Sequence, residues 1–508
     1  MTALETFFRE TARTDRGVLQ VEGDQQTLLT YAELLAGAER LADVLKSHPL
    51  RDRFIAAIWM DKTPAYLQAF MAVVLAGGIP VPLHSYSTGG ETSAAVRKVE
   101  ADLLLLSSSK AAQLEKSDIS LPALLCCDGE TGERLPALSD KPRTPRLYTP
   151  PEETAMIILS SGSTGVPKGI MLSSANVLAN VRQIQGYVGL QPDDRVLLAK
   201  SLGYSSTLTG EWMLALQAGA HLQMTEPFMH PLQMVRFLRD HGTTFMTTSP
   251  SAVIPLLKTT RWQADDLAAL RQILIVGGGT PPQLLTELQQ HLPGKRIIPS
   301  YGLTEASPRV TYLPPEQLAT RPASVGIPVE DVSVRIIDSN GLPVEAGVEG
   351  EVVVQGPNVM LGYYADAERT AAVLTEQGLR TSDIGYLDYE SFLYITGRLD
   401  NALNVGGHTI YPEPIEQALC VHADVGEAAV VGVPDLVWGE RMVAFVVPAQ
   451  EPFQPQVLHR HCQLMLSPSQ RPRDIIPVAE LPKTKSGKLD RSGIRAMAKE
   501  WNHAEHSR

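Results

Sequence analysis

The sequence predicts an α/β protein with a mostly parallel sheet, followed by a small β subdomain and a C-terminal α/β segment. Three observations lead to this prediction. Short apolar runs alternate with helical patterns through the first part of the chain. From Val325 onward, β-rich runs are separated by short Gly/Pro turns, and near the C-terminus the α/β pattern returns. A length of 508 residues allows about three domain-sized units.

The individual elements follow from local patterns in chain order. Apolar, β-rich runs predict strands at residues 54–60, 103–106, 156–159, 196–199, 273–276 and 297–298. Thr63-Pro64 begins one intervening helix, which Gly77-Gly78 ends, and Thr280-Pro281 begins another. Further runs predict the β subdomain at 332–337, 351–354 and 392–395, and C-terminal strands at 429–433 and 443–447.

Composition and charge exclude several classes of protein. Apolar residues make up 44% of the chain and the net charge is −12, which argues against a nucleic-acid or anionic-membrane surface. The adjacent Cys126 and Cys127 do not form a disulfide or zinc pattern, so we expect a reducing, cytoplasmic location. No signal peptide is evident, and the apolar stretch 65–81 is interrupted by Gln68 and Gly77-Gly78, so no membrane span is expected.

The most informative segment is a loop that follows the predicted strand 156–159. It combines glycines, hydroxyls and one lysine in the order Ser160, Ser161, Gly162, Ser163, Thr164, Gly165, Val166, Pro167, Lys168, Gly169. Glycines let amide N–H groups converge on an anion, while hydroxyls and Lys168 add donors and charge. The loop is not a Walker A motif, because Pro167 and Gly169 occupy required positions. We interpret it as a polyphosphate-binding loop; the alternative is a plain turn between a strand and a helix.

The T-G-x-P-K-G ending of this loop resembles the phosphate loop of the adenylate-forming superfamily, which contains acyl-CoA synthetases, adenylation domains of peptide synthetases and beetle luciferases. Further motifs follow in the order of that family over nearly the whole chain from Ser160 onward. The resemblance implies ATP and Mg²⁺ as cofactors. It also implies a large N-terminal adenylation domain, residues 1–397, and a small mobile C-terminal domain, residues 398–508.

A second motif of the resemblance is Tyr301-Gly302-Leu303-Thr304-Glu305. The resemblance implies that Tyr301 and Gly302 contact ATP, with the tyrosine against the adenine. It assigns the Thr304 hydroxyl to the α-phosphate and Glu305 to Mg²⁺, and a carboxylate oxygen suits that ion. Taken alone, the segment would be a turn with an exposed acid.

Two further segments resemble the nucleotide site of the family. The loop after strand 273–276 contains Gly278, Gly279 and Thr280, which the resemblance assigns to the wall beside adenine and acid, although a plain strand-to-helix turn remains an alternative. Asp383 resembles the acid that binds the ribose hydroxyls, with Ser382 in place of the usual glycine.

The predicted boundary between the domains carries two more candidates. In Gly397-Arg398-Leu399-Asp400, the resemblance implies that Arg398 contacts ribose or phosphate and that Asp400 is the hinge. Without the other motifs, the simpler interpretation is that Arg398 ends a helix and that the acidic residue is a surface carboxylate.

The last motif contains the candidate catalytic lysine, Lys488, in the order P-x-T-x-S-G-K. Clustered lysines usually form a solvated loop. The reaction implied by the resemblance nevertheless needs a cation, because a carboxylate must approach the α-phosphate of a polyanion. A mobile ammonium can bridge the two groups and stabilise the charge of the transition state.

The substrate segments are less specific. The resemblance assigns Tyr204, Ser205 and Gly279 to the acid pocket. Relatives that activate amino acids carry an aspartate at the position of Ser205, where it pairs with the α-ammonium of the substrate. Because this chain has no charge there, a carboxylic acid without an α-amine is favoured. Gly406-Gly407 resembles the loop that closes on a pantetheine arm and is the candidate thiol tunnel. That arm belongs to CoA and to the phosphopantetheine of an acyl carrier protein alike.

These patterns predict an ATP-dependent acid–thiol ligase that forms an acyl-adenylate, releases pyrophosphate and transfers the acyl group to CoA or a carrier protein. Two alternatives stay open: an enzyme that loads only a carrier protein, and a non-catalytic nucleotide-binding regulator on the same fold. The identity of the acid and the oligomeric state do not follow from the sequence.

Overall fold

The computed structural model describes residues 1–12, 16–22, 25–114, 123–126, 146–160, 167–228, 230–259, 262–405, 408–435, 439–450, 452–484 and 488–506. Its strands are β1 Gly17–Glu22, β2 Gln25–Thr30, β3 Ile55–Trp59, β4 Ile79–Pro82, β5 Leu103–Leu106, β6 Ala123–Cys126, β7 Thr154–Ser160, β8 Lys168–Ser173, β9 Arg195–Leu198, β10 His221–Met224, β11 Phe245–Thr248, β12 Gln272–Ile275, β13 Arg296–Tyr301, β14 Thr311–Tyr312, β15 Ile327–Pro328, β16 Ser333–Ile337, β17 Gly350–Gln355, β18 Gly362–Tyr363, β19 Leu374–Thr375, β20 Gly378–Leu387, β21 Leu393–Arg398, β22 Leu403–Val405, β23 His408–Ile410, β24 Val425–Asp435, β25 Gly439–Pro448 and β26 Asp474–Pro477.

The helices alternate with these strands as the sequence predicts. They are α1 Ala3–Thr11, α2 Tyr31–Lys46, α3 Pro64–Leu75, α4 Gly89–Lys98, α5 Ser108–Leu114, α6 Ser174–Val188, α7 Ser205–Thr207, α8 Leu214–Ala218, α9 Pro231–Asp240, α10 Pro250–Lys258, α11 Pro282–His291, α12 Ala367–Val373, α13 Pro412–Cys420, α14 Pro455–Met465 and α15 Arg491–His506. A π-helix, Leu208–Met213, lies between α7 and α8.

The large sheet positions most of the candidate site. Its strand order is β15-β14-β13-β12-β11-β9-β10-β1-β2, and all neighbours from β13 to β1 are parallel, which confirms the predicted α/β class. Because the carboxyl ends of parallel strands meet at one edge, the segments that follow β9, β12 and β13 converge there. These segments contain Tyr204, Gly278-Gly279 and Thr304, and Tyr301 is the last residue of β13.

The described residues also form four smaller sheets. A parallel sheet has the order β4-β3-β5-β6, and an antiparallel sheet has the order β18-β8-β7. The predicted β subdomain is the sheet β16-β17-β20-β19, with β21 paired to β20. The C-terminal segment has its own sheet, β23-β22-β25-β24, with β26 added beside β25 and its own apolar clusters.

Two local details differ from what the sequence patterns suggested. Ser160 of β7 pairs with Lys168 of the antiparallel β8. The candidate phosphate loop is therefore flanked by two neighbouring strands, whereas the alternative interpretation, a plain turn, placed a helix after it. Helix α11 begins at Pro282, one residue later than predicted, with Pro281 at the N-cap position and a ψ of 133°. The cause is the proline that follows, because a residue before proline is disfavoured in the helical region.

An aromatic cluster ties the N-terminal helices to the π-helix. The fully buried rings of Phe8, Phe70 and Trp212 are in contact, with centroids 5.5 Å apart for Phe8 and Trp212 and 5.4 Å apart for Phe70 and Trp212. These rings come from α1, α3 and the π-helix, so their packing holds the segment after Tyr204 against the core.

We expect Phe70→Ala to destabilise the large domain by about 3–5 kcal/mol, because it removes a buried ring and leaves a cavity. Thermal or denaturant unfolding followed by tryptophan fluorescence measures the effect. Leu464→Ala is the matched control, since Leu464 is 86% exposed and a surface truncation changes stability by about 0.5 kcal/mol or less. Equal shifts in the two variants would contradict the assignment of this cluster to the core.

Candidate active site

An ion pair across two strands forms the centre of the candidate site. Strands β20 and β21 place Asp383 directly opposite Arg398, and Asp383 Oδ1 lies 3.3 Å from Arg398 Nη1. The Tyr301 hydroxyl, at the end of β13, donates a hydrogen bond of 2.5 Å to Asp383 Oδ2. Three residues that are far apart in the sequence therefore meet. Ser382 has a φ of 61°, a left-handed conformation that favours glycine.

Lys488 lies in the electrostatic environment of this ion pair. Burial lowers the pKa of its ammonium, Arg398 lowers it further, and Asp383 opposes both effects. The Lys488 side chain is exposed to solvent, and its partial burial is nevertheless the main cause of the lowered pKa. The C-terminal segment therefore carries its lysine to within the electrostatic influence of Asp383 and Arg398.

The pKa values of Asp383 and Tyr301 are shifted from their ordinary values. Burial raises the pKa of Asp383, while Arg398 and the hydrogen bond from Tyr301 lower it. Burial and the Asp383 carboxylate raise the pKa of Tyr301, so the phenol stays protonated and acts as a donor. Asp383 retains acceptor capacity for further donors because a carboxylate has about four lone-pair positions.

Glu305 and Lys168 are linked through a tyrosine that the sequence analysis did not single out. The Tyr363 hydroxyl donates a 2.9 Å hydrogen bond to Glu305 Oε1, and Lys168 Nζ lies 5.5 Å from the centroid of the Tyr363 ring. Pairing of β18 with β8 places Tyr363 opposite Ile170, two residues after Lys168. No local pattern marks Tyr363, because its role depends on this strand pairing.

The turn that contains Thr304 is held by close packing. It is a short 3-10 helix, Thr304–Ala306. A Cβ on Gly302 would lie 1.7 Å from the carbonyl oxygen of Pro308, so only glycine fits there. The Asn358 amide donates to the carbonyls of Ala306 and Arg309, at 3.0 and 2.8 Å. Thr304 and Glu305 are thus presented on a rigid loop.

The glycine loop after β12 meets the C-terminal segment. Gly277 has a φ of 89°, and a Cβ on Gly279 would lie 3.2 Å from Gln417 Nε2 on α13. A Cβ on Gly278 would have no other atom within 4 Å among the described residues. Thr280 is half-buried at the start of the turn into α11.

Tyr204 belongs to a group of three rings. Its hydroxyl lies 2.6 Å from the hydroxyl of Tyr86, and its ring centroid lies 4.4 Å from that of His84. His84 stacks on Tyr86 at 4.9 Å, and its Nδ1 is 2.9 Å from Ser201 Oγ. Ser205 is buried and begins α7. His84 and Tyr86 follow β4 and carried no sequence signal.

The segment around Asp400 is attached to the C-terminal helices. It forms a 3-10 turn, Leu399–Asn401. Arg495 on α15 donates to the Asp400 carbonyl at 2.9 Å, and the Asn401 amide donates to Glu413 on α13 at 2.6 Å. The chain therefore passes from β21 directly into contacts of the C-terminal segment.

Several predicted residues lie outside the part of the chain that the structure describes. They are Ser161, Gly162, Ser163, Thr164 and Gly165 of the candidate phosphate loop and Gly406 and Gly407 of the candidate thiol tunnel. Ser160 and Lys168, which bracket the phosphate loop, are described and face each other across the hairpin.

The residues present fit ATP with Mg²⁺. Within the described ranges, no group of three or more His, Cys, Asp or Glu side chains could hold a metal alone. Mg²⁺ commonly takes one or two carboxylates together with phosphate oxygens and water. Glu305 uses Oε1 to accept from Tyr363 and has a second carboxylate oxygen for an ion. In the described part of the chain, no helix is long and apolar enough to cross a membrane.

Comparison with known proteins agrees with this geometry. The sequence profile of AMP-binding enzymes matches residues 8–364, and that of their C-terminal domain matches 414–488. The chain is 31% identical over 470 residues to a feruloyl-CoA synthase from Amycolatopsis sp, covering 92% of this chain and 94% of the relative.

Two solved structures are similar over almost their whole length. O-succinylbenzoate CoA synthetase from Bacillus subtilis, in complex with its acyl-adenylate intermediate, has a TM-score of 0.82 at 26% identity and covers 96% of this chain and 97% of its own. ATP-bound MatB from Rhodopseudomonas palustris has a TM-score of 0.84 at 26% identity, with coverages of 97% and 98%. These findings confirm the prediction of ATP-dependent acid activation by an AMP-forming ligase. The chain belongs to the family of AMP-binding enzymes.

Proposed function

We propose that the enzyme joins a small carboxylic acid without an α-amino group to CoA, with ATP cleaved to AMP and pyrophosphate. The observation that carries this proposal is the group formed by Tyr301, Asp383 and Arg398, whose ion pair also acts on the charge of Lys488. CoA is favoured over a carrier protein because the similar feruloyl-CoA synthase and O-succinylbenzoate CoA synthetase are named for CoA.

The roles of the residues follow from their chemistry and surroundings. Asp383 has the acceptor capacity to hold the ribose hydroxyls, and Tyr301 lies beside it to flank the adenine. Lys168 and the phosphate loop would hold the phosphates, and Thr304 would donate to the α-phosphate. Glu305 would hold Mg²⁺, which neutralises phosphate charge and assists the departure of pyrophosphate.

Lys488 would reduce the electrostatic repulsion that opposes the first step. The acid carboxylate and the α-phosphate repel each other, and an ammonium between them stabilises the charge as the new bond forms. Burial and, after it, the charge of Arg398 lower the pKa of Lys488, and the phosphates of bound ATP would favour its charged form.

The second step needs a different surface of the C-terminal domain. We place the domain boundary between residues 397 and 398, the pivot at Asp400 and the thiol tunnel at Gly406-Gly407. Lys488 and this tunnel segment belong to the same small domain and cannot both face one acyl-phosphate. A rotation of the domain between the two steps would resolve the conflict.

Lys488→Ala should reduce adenylate formation by about 100- to 1,000-fold, because a group that acts on the transition-state charge is lost. ATP binding should change little. Acid-dependent exchange of pyrophosphate into ATP measures the first quantity, and calorimetry with ATP measures the second. The matched control is Lys483→Ala, since Lys483 is exposed and pairs with Glu427. Wild-type exchange rates in Lys488→Ala would refute the role.

A panel of acids tests the substrate class. Matched pairs such as 3-phenylpropanoate and phenylalanine differ by the α-ammonium, which Ser205 cannot balance with a charge. We expect kcat/KM for the acid without the amine to exceed that of the amino acid by about 100-fold, the cost of a buried unpaired charge. A preference for the amino acid would overturn this assignment. Absence of exchange with every acid would favour the non-catalytic regulator.

Asp400→Pro should separate the two steps. Proline fixes φ near −65°, which suits the observed 3-10 turn but prevents the dihedral change that a pivot requires. We expect pyrophosphate exchange to survive while thioester formation from preformed acyl-adenylate falls at least about tenfold. Asp400→Ala keeps the backbone free and is the control. Equal loss of both steps in the proline variant would indicate misfolding, and loss of neither would remove Asp400 as the pivot.

A further inference from the structure

Strand β20 contains a bulge at the position of the ribose-binding candidate. Glu351 of β17 pairs with Ile384 of β20, and Val353 pairs with Arg380. The step from one pair to the next is two residues along β17 but four residues along β20. The bulge therefore lies in residues 381–383, and the last of these is the candidate acid. A β-bulge redirects side chains and interrupts the hydrogen bonds of the ladder, so other groups must hold the segment.

Side chains supply the hydrogen bonds that hold this bulge. The Thr381 hydroxyl donates to the Val352 carbonyl at 2.9 Å and accepts from the Asp383 N–H at 3.1 Å. Glu351 Oε1 accepts from the Ser382 N–H at 3.2 Å. The backbone N–H groups of residues 382 and 383 thus both donate to side chains, and one of these side chains comes from the neighbouring strand.

The Glu351 carboxylate is held in place by an arginine. Glu351 is 6% exposed, and Arg380 donates to its Oε2 through Nε, at 2.8 Å, and through Nη2. Hydrogen bonds between a guanidinium and a carboxylate are stronger than those between neutral groups. The arginine occupies Oε2, which leaves Oε1 for the Ser382 N–H. Glu351 is therefore a fixed acceptor for the backbone of the bulge.

The bulge needs this acceptor because residue 382 is a serine. Its φ of 61° lies in the left-handed region, which disfavours every residue that has a Cβ. A conformation of this kind persists only where the surrounding contacts enforce it. The hydrogen bond to Glu351 acts directly on the backbone of Ser382. The usual glycine of this motif would adopt the same conformation without such support.

The backbone of Ser382 determines where the next side chain points. Asp383 Oδ2 accepts from the Tyr301 hydroxyl at 2.5 Å, and Asp383 Oδ1 lies 3.3 Å from Arg398 Nη1. A return of Ser382 to a negative φ would rotate the peptide that follows it. The Asp383 carboxylate would then move away from both partners and from the position at which a ribose would meet it.

We propose that Glu351 is a positioning residue for Asp383. It accepts the Ser382 N–H, holds the left-handed conformation and so directs the Asp383 carboxylate at the ribose hydroxyls of ATP. The inference rests on the proposed function, in which Asp383 binds those hydroxyls. Because Glu351 acts only through the bulge, its loss affects recognition of the ribose and leaves recognition of the phosphates unchanged. The serine at position 382 is what makes ribose recognition depend on Glu351.

Two nucleotides that differ only in the ribose hydroxyls test this inference. Calorimetry gives the Kd of ATP and of 2′,3′-dideoxy-ATP for the full chain. The wild-type enzyme should bind ATP at least about tenfold more tightly, because the analogue cannot donate hydrogen bonds to the charged Asp383. Glu351→Ala should reduce this preference about fivefold by weakening the binding of ATP, while the Kd of the analogue stays the same.

A second substitution separates positioning from a general loss of structure. In a Ser382→Gly background, glycine keeps the left-handed conformation without support, so adding Glu351→Ala should change the preference for ATP by less than about twofold. Glu376→Ala is the matched control. Glu376 is an exposed glutamate in the turn between β19 and β20, and its loss should change neither Kd.

The possible failures are distinguishable. If Glu351→Ala weakens both nucleotides equally or neither of them, Glu351 does not position Asp383, and the inference is overturned while the proposed function stands. Equal binding of the two nucleotides by the wild-type enzyme would remove the ribose role of Asp383, and the inference with it. Failure of the proposed function has a separate signature, since an enzyme that binds ATP would then show no pyrophosphate exchange with any acid.

Discussion

The antiparallel register of β20 and β21 is the constraint on which the site depends. It places Asp383 opposite Arg398, so a carboxylate and a guanidinium are paired by the backbone and do not have to find each other through flexible side chains. Tyr301 then completes the group from the end of the parallel sheet. Because β21 ends at Arg398 and the chain continues into the C-terminal segment, the same register also determines where Lys488 can reach.

Electrostatics explains why the cations are concentrated so locally. The whole chain carries a net charge of −12, which does not attract a polyphosphate. Arg398 and Lys488, from separate parts of the sequence, nevertheless act on each other, and Glu305, which Tyr363 links to Lys168, acts on Arg398. The lowered pKa of Lys488 is the direct consequence, since burial and Arg398 both disfavour its charge before a polyanion is bound. Binding of a polyanion at this site would therefore favour the ammonium form of Lys488.

A second principle of the site is that rigid buried contacts hold the functional loops. Gly302 admits the Pro308 carbonyl at a distance that no side chain would permit, and Asn358 ties the loop to the β subdomain. Tyr363 connects Glu305 to the neighbourhood of Lys168.

The sequence by itself determined the features that are local in the chain. The alternation of strands and helices, the composition of the phosphate loop and the order of the motifs led to the fold class and to the family. Only the tertiary structure decided which distant residues meet. Tyr363, His84 and Tyr86 carry no local pattern, yet Tyr363 contacts Glu305 and the other two contact Tyr204. Strand pairing likewise places Ser160 opposite Lys168. The physical reason is that strand pairing and burial depend on contacts between residues far apart in sequence, whereas motifs and turns depend on neighbours.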